Sequence, residues 1–513
     1  MKKVWFLMLF LNGIAFAQVP EDALRFSWQP IQGSARYMAI GGTMGSLGGD
    51  ITAAFVNPAG LGLFKTKEFS FAPAFNFRNN NIFFRDSTRT SKKNSFGIGP
   101  MGVIIGMPDP YNKSNSSAFC IALNQNASFN NNYSYSGFNN YSSFSEQFVE
   151  EFARSGQSIN NVLTTNSPLP FTAAPALYTY LIDTVTIDGT TQIKGAPEYI
   201  LDSGGILKQD MTRVQRGDHY ELAFSYASNI NEKWLYGVTI GVPIIVYSNK
   251  STFTESDATG DTANRFDKFT YIDDFSTNGI GFNSKFGVIY RPKEYIRFGL
   301  ALHTPSFMSL ADNRTTSLTT TLENPGQTFT VSSNTFTNGQ AGESNYSLNM
   351  PWRAIISGSY VFREIQDVRK QKAFISADIE YIRHRASRFR SSNETPTQDE
   401  KNYFTALNNV MKSNYKSTFN FRLGGELKFD VIMIRGGLAY YGNPYKDPEL
   451  KGNQLLLSGG LGYRNHGFFV DLTYVQNMKR DTDFPYRLSD RLNTFASTRI
   501  TTGQLMCTIG FKF

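Results

Sequence analysis

Phe419-Asn420-Phe421-Arg422-Leu423-Gly424-Gly425-Glu426-Leu427-Lys428-Phe429 is a run in which chemistry changes with every step. Phe419, Phe421, Leu423, Leu427 and Phe429 share one phase; Asn420, Arg422, Glu426 and Lys428 share the other. Successive side chains of a β-strand point to opposite faces, so this segment has one apolar and one polar face. Ala373, Ile375, Ala377, Ile379 and Tyr381 alternate with Phe374, Ser376, Asp378 and Glu380 in the same way. Ile296, Phe298, Leu300 and Leu302 alternate with Arg297, Gly299, Ala301 and His303. The last segment carries Leu505, Cys507, Ile509, Phe511 and Phe513 on one face and ends on an aromatic residue.

A soluble sandwich also alternates. The spacing between segments separates the two folds. Strands are expected near 68–77, 94–106, 117–129, 219–228, 235–248, 278–291, 295–305, 352–363, 372–384, 418–429, 431–442, 454–464, 467–477 and 503–513. The joins at 229–234, 292–294, near Asp430 and at Asn465-His466 are short, whereas 130–218, 249–277, 306–351, 385–417 and 478–502 are long. Alternating short turns and long loops are the signature of a transmembrane antiparallel β-barrel. An all-β barrel of about fourteen strands over 67–513 is therefore expected, with 130–218 as its largest loop.

Composition agrees. The chain has 513 residues, too many for one ordinary soluble core, yet only 18% are charged and 14% are aromatic. Lys2-Lys3, the apolar run Val4 to Leu11 and Ala15-Phe16-Ala17 read as a signal peptide over 1–17, giving an exported protein of the cell outer membrane. The formal charge of +8 is scattered, without the Lys/Arg runs of nucleic-acid binding. His219, His303, His384 and His466 are far apart and no metal or nucleophile motif occurs, so no cofactor, metal or catalytic role is expected. Cys120 should face the lumen and Cys507 the lipid, which argues against a disulfide.

Residues 18–66 do not alternate. They are Gly-rich but carry Met38, Ile40, Met44, Leu47 and Phe55, which a solvated linker would not. The G-x-G-x-x-G spacing of dinucleotide sites is absent.

Ser34-Ala35-Arg36-Tyr37-Met38-Ala39 with Gly41-Gly42-Thr43, Gly45-Ser46-Leu47-Gly48-Gly49-Asp50 and then Asn57-Pro58-Ala59-Gly60-Leu61 resembles the N-terminal hatch of the FadL/TodX hydrophobic-compound transporters, especially the Bacteroidetes versions. Gly281 to Pro292 followed by Ile296–Leu300, Pro351-Trp352-Arg353 and Asn420–Gly425 are similar to that family's barrel segments. The resemblance implies fourteen strands, a plug inside the lumen, and passive uptake of hydrophobic molecules such as long-chain fatty acids or aromatic hydrocarbons. It implies a monomer in outer-membrane lipid, with an apolar pocket lined by Met and Phe. By the same resemblance, Asn57, Pro58 and Ala59 form the hatch motif; the Asn57 amide either holds the hatch to the wall or simply completes a turn.

In that family a kink in the third strand makes a side opening. Here that strand holds Asn124, Gln125 and Asn126, with Gln125 in the lipid-facing phase. Either the opening lies there or residue 125 sits at the outer interface; the interface is preferred. In the lumen phase, Lys285, Arg297, Arg353, Asp378, Glu380, Arg422, Glu426, Arg435 and Asp471 could hold a carboxylate or form a salt-bridge network, and the network is preferred, with Glu426 facing Arg435. A role as an outer-membrane partner or shuttle in a Bacteroidetes protein-secretion system is the alternative function, suited by the Asn/Ser-rich loops.

Overall fold

The computed structural model describes residues 20–27, 30, 32–187, 189–323, 326–362 and 372–513. The expected signal peptide, 1–17, lies outside the described residues. Before the barrel come three short helices, α1 (Pro20–Ser27), α2 (Ala35–Ala39) and α3 (Ala53–Val56), and a 3-10 turn, Pro58–Leu63.

Fourteen antiparallel strands then follow in order. They are β1 (Lys67–Phe71 and Pro73–Phe84), β2 (Ser87–Ile98 and Met101–Pro108), β3 (Ser116–Ser128 and Asn131–Asn139), β4 (Leu207–Ile230) and β5 (Trp234–Asp257). Next are β6 (Phe266–Lys293), β7 (Ile296–His303 and Phe307–Leu322), β8 (Gly342–Asn349 and Arg353–Phe362) and β9 (Ala373–Arg383 and Arg388–Ser391). The last are β10 (Ser417–Phe429), β11 (Ile432–Tyr441), β12 (Gln454–Asn465), β13 (Phe468–Asp483) and β14 (Ala496–Lys512). Neighbours in sequence pair along the sheet, and β14 returns to β1 through Phe69↔Phe511 and Phe75↔Leu505, closing the barrel. Joins at one end are short, as at 231–233, 430–431 and 466–467. There Asn231, Glu232, Asp430 and His466 take positive φ, the geometry of tight hairpin turns.

The strands are longer than alternation suggests, and β5 shows why. Its even-numbered residues point outward without interruption. Trp234, Tyr236, Ile240 and Val246 are exposed and apolar, whereas Ser248, Lys250, Thr252 and Thr254 continue the same face with polar groups. At Tyr247 and Phe253 it is the inward phase that is apolar and buried. The greasy face has switched sides because the surroundings change from hydrocarbon to water. Trp234 to Val246, at ~3.3 Å per residue and a tilt of ~40°, rises roughly 30 Å, the height of a hydrocarbon core. Aromatic pairs mark both limits: Trp234 stacks on Tyr290 at 4.2 Å on the short-turn side, and Tyr381 meets Trp352 and Phe419 on the other.

This switch corrects the expected loops. The stretch 130–218 begins as Asn131–Asn139 and ends inside β4, leaving 140–206 as the true excursion. Of 249–277, all but 258–265 is strand. The remaining excursion forms a cap of α4 (Ser145–Ser155), α5 (Ile159–Val162), α6 (Ala173–Tyr178), a small hairpin and α7 (Ala196–Asp202). Phe144 and Phe148 pack it onto Phe253, Phe269, Tyr271 and Tyr486 of the protruding wall; Phe144 stacks on Phe253 at 4.6 Å.

One buried acid pins the cap. Glu255 of β5 accepts hydrogen bonds from the Ser143 hydroxyl, from Gln209 Nε2 at 2.5 Å and from Phe144 N at 3.4 Å. Glu146, Tyr486 and Arg85 are the titratable groups around it. Burial pushes its carboxyl up to about 7, against the bonds from Ser143 and Gln209 that favour ionisation. The folded cap thus favours the protonated acid. Its stabilising contribution is full below the ordinary carboxylate range and is lost as pH rises through about 7. Amide exchange over 140–206 should be faster at pH 8 than at pH 5.5 after correction for intrinsic rates, and Glu255→Gln should remove the difference. Equal pH dependence in the variant would contradict this role for Glu255.

Candidate functional site: hatch, lumen and a gap in the wall

The hatch fills the barrel at mid-height. Met38, Ile40, Met44, Leu47 and Phe55 are all buried. Its local folding starts at Ser34, which caps α2 by accepting from Tyr37 N, while its hydroxyl donates to Asp50 Oδ2 at 2.7 Å. Asp50 Oδ1 accepts from Thr52 N, so one carboxylate ties both arms of the loop together. Gly48 has φ of 67° and packs against Gly60; a side chain at either would break that crossing.

Wall glycines let the hatch backbone lie directly on the sheet. Gly424 and Gly437 face the Ile40–Gly41 peptide, Gly299 faces Gly45, and Gly237 and Gly287 face Pro58 and Asn57. Close backbone approach makes hydrogen bonding to the hatch possible. Asp378 Oδ2 accepts from Met44 N and Gly45 N, both at 3.1 Å, while its Oδ1 accepts from the Ser357 hydroxyl. Thr508 Oγ1 accepts from Ala35 N at 2.7 Å and Thr473 Oγ1 donates to Ala35 O at 2.6 Å. Arg297 Nη1 donates to Leu47 O at 3.1 Å.

Asn57 is built into this seat. Its Nδ2 donates to Gly45 O at 2.5 Å and lies 3.4 Å from Val288 O and 3.5 Å from Leu300 O on the wall. Its Oδ1 accepts from Ala59 N at 3.1 Å, with Pro58 opening the 3-10 turn. The same side chain therefore completes the turn and touches the wall.

The lumen charges pair. Glu380 accepts from Arg422 Nη2 at 2.5 Å, from Arg353 Nη1 at 3.3 Å and from Asn420 at 2.8 Å. Arg435 binds Glu426 at 2.6 Å and Asp471 at 2.5 Å, and Arg36 of the hatch reaches Glu426 at 3.5 Å. Lys285 pairs with Glu221. Buried ions need such partners, since a lone buried charge is strongly destabilising. Cys120 lies buried in the inward phase, Cys507 lies in the outward phase, and both are free.

The cavities are more polar than the expected Met- and Phe-lined pocket. A cavity of about 70 Å³ is bounded by Phe26, Phe55 and Met350 but also by His219, Lys285 and Arg353. Another, about 90 Å³, lies between Met38, Leu456, Val475 and Met506 on one side and Ser95, Ile98 and Gln125 on the other. An apolar cluster is built with the chain's own first helix: Leu24 and Phe26 of α1 are buried together with Met308, Leu348, Met350, Phe389, Leu407 and Met411. Sequence periodicity gave no signal for this, because an eight-residue helix is too short to show one.

The larger cavity abuts an interruption in the wall. The β2–β3 ladder runs from Pro108↔Ser116 to Met101↔Leu123 and stops. Above it, Ser87–Ile98 pairs with β1 and Asn131–Asn139 with β4. On its other side β3 stays paired with β4, but the register slips between Gln125 and Ala127, so Asn126 is a bulged residue. This corrects the lipid-facing assignment of Gln125. The side chain is buried within the wall: its Oε1 accepts from Ile98 N at 2.8 Å and its Nε2 donates to Asp218 Oδ1 at 2.6 Å. It satisfies a backbone donor that has lost its ladder partner. Asn124 donates to Gln32 O of the hatch arm and Asn126 to Glu221.

The fold has known counterparts. No family model and no curated protein matches the sequence. Among solved structures, the toluene transporter TodX of P. putida aligns with a TM-score of 0.53 at 11% identity, covering 94% of this chain and 99% of its own. A FadL homologue of Pseudomonas aeruginosa aligns with a TM-score of 0.51 at 12% identity, covering 94% and 99%. This chain has the FadL-like fold. The likeness spans the barrel and its plug, at an identity that speaks for architecture alone.

The hatch seat is testable. Asp378→Ala leaves two buried N–H groups unpaired, each worth about 1–3 kcal/mol. The hatch should loosen while the barrel stays folded. Planar-bilayer recordings should show raised ion conductance, and heat-modifiable gel migration should be unchanged. Conductance equal to that of the native protein would show that Asp378 does not secure the hatch.

Proposed function

We propose that this protein is an outer-membrane channel for passive uptake of hydrophobic compounds, of the FadL/TodX family. The observation that carries the reading is the unpaired stretch between β2 and β3 beside the cavity lined by Met38, Met506 and Gln125. An apolar solute such as a long-chain fatty acid or an aromatic hydrocarbon enters from outside, is held near Met38 and Met506, and leaves sideways past Gln125 into the bilayer. Apolar burial of ~25 cal/mol per Å² favours each transfer out of water. The polar residues of the cavity keep the dwell short. The hatch, seated by Asn57 and Asp378, blocks the straight path to the other side of the membrane. A closed barrel has no free edge to pair with a second copy, which suits a monomer surrounded by lipid. TodX, which shares the fold, is by name a toluene transporter.

Deleting Asn126 removes the bulge and draws β3 straight beside β4. Uptake of radiolabelled oleate and of toluene, measured in cells without a transporter of their own, should fall to the background of the host. Heat-modifiable migration should report an intact barrel. Full uptake of both compounds by the deletion variant would refute a side exit at this point.

A further inference from the structure

The outward face of β9 does not end at the aromatic belt. Ile375, Ala377, Ile379 and Tyr381 form its lipid-facing phase, and Tyr381 packs between Trp352 and Phe419 at the belt. Beyond Tyr381 the outward positions are Arg383 and Arg385 and, after a short 3-10 turn at His384–Ala386, Arg388 and Arg390. All four arginines are exposed, while Ile382, His384 and Phe389 between them are buried. Four guanidinium groups therefore stand in one line directly above the hydrocarbon boundary.

Among the described residues none of the four forms an ion pair. The residues paired with them are neutral: Ser417 faces Arg383 on β10, and Asn349 and Ser347 face Arg388 and Arg390 on β8. Lys416, exposed beside Ser417, adds a fifth cation. The corresponding stretch of β5 carries Ser248, Lys250, Thr252 and Thr254, one cation in four residues. Elsewhere on the protruding wall some arginines meet acids, as Arg314 does Asp273 and Arg213 does Asp483, while Arg480 faces Arg499 across β13 and β14. On β9 no counter-charge is found among the described residues, and the groups at this height outside the barrel are lipid head groups.

We propose that Arg383, Arg385, Arg388 and Arg390 form a binding site for the phosphorylated sugar head group of an outer-leaflet glycolipid, whose acyl chains lie along Ile375, Ile379 and Tyr381. Guanidinium groups bind phosphate oxygens in paired, planar hydrogen bonds, which a lysine cannot reproduce. A line of four reaches above the plane of an ordinary phospholipid phosphate and matches a head group with phosphates spread over a sugar unit. The site sits on the far side of β9 from the lumen. It rests on the outer-membrane placement proposed above and is independent of what crosses the lumen.

The test uses the full mature chain in detergent with diphosphoryl lipid A as the probe, read by native mass spectrometry. The native protein should retain it. R383Q/R385Q/R388Q/R390Q should bind at least about tenfold more weakly, since each cation near an anionic head group contributes on the order of a few-fold. K113Q/K233Q/K293Q/K372Q, which removes four charges on the short-turn side, should bind like the native protein. If the arginine variant does not fold, R383Q/R385Q and R388Q/R390Q each carry the test. Native affinity in the arginine variants, an equal loss in the lysine variant, or phosphatidylglycerol competing as well as lipid A would each overturn the site. The oleate and toluene uptake assay separates this outcome from the transport reading, because weakened lipid A binding with intact uptake leaves transport standing.

Discussion

A peptide group inside hydrocarbon must find its hydrogen-bond partner within the protein, and this structure depends on that requirement. Fourteen strands paired in sequence order and closed from β14 to β1 satisfy it around the whole circumference. The exception is instructive. Where β2 loses its ladder to β3, the Gln125 amide takes over one backbone donor and binds Asp218 on the other side. A side chain can open this contact by a rotamer change, whereas a ladder opens only by unpairing a run of residues. The wall is therefore weakest where a polar side chain replaces a strand.

The lumen obeys the same constraint with other groups. The hatch has little regular secondary structure, so its peptide groups need partners from the wall. Asp378, Thr473, Thr508, Ser458 and Arg297 supply them, and inward-facing glycines such as Gly424 and Gly437 let the two backbones approach. The paired charges Glu380 with Arg422, and Arg435 with Glu426 and Asp471, keep the polar interior neutral around the plug. The result is a plug held by many individually breakable bonds alongside apolar clusters, in which Tyr37, Met38, Ile40 and Phe55 gather with wall residues such as Phe374, Leu456 and Ile104.

Much of this is legible in the sequence. Alternation at Phe419–Phe429 and Ala373–Tyr381 places the membrane strands, and the partnership of Glu426 with Arg435 follows from the tight turn between β10 and β11. The upper wall is not legible by the same rule. At Phe253, Phe269 and Tyr271 the apolar phase turns inward as water replaces lipid, so a search for outward greasy residues reads these strands as loop. The bulge at Asn126 inverts the face of everything beyond it, and Gln125, the last residue before it, turns its side chain into the gap beside Ile98 and Asp218, which alternation does not report. The side chains that seat the hatch were visible only as small polar residues and glycines in the lumen phase. Their meaning depends on which hatch peptide lies opposite, and that information is tertiary.

The proposed route takes a hydrophobic solute to the bilayer through the β2–β3 interruption. A photoactivatable fatty acid, equilibrated with the lipid-reconstituted protein, irradiated and mapped by mass spectrometry, tests this most directly. Adducts are expected at Met38, Ile98, Gln125, Ala127 and Met506, around the cavity and its side mouth. Adducts confined to the lipid-facing residues of the barrel, with none on the cavity lining, would contradict it.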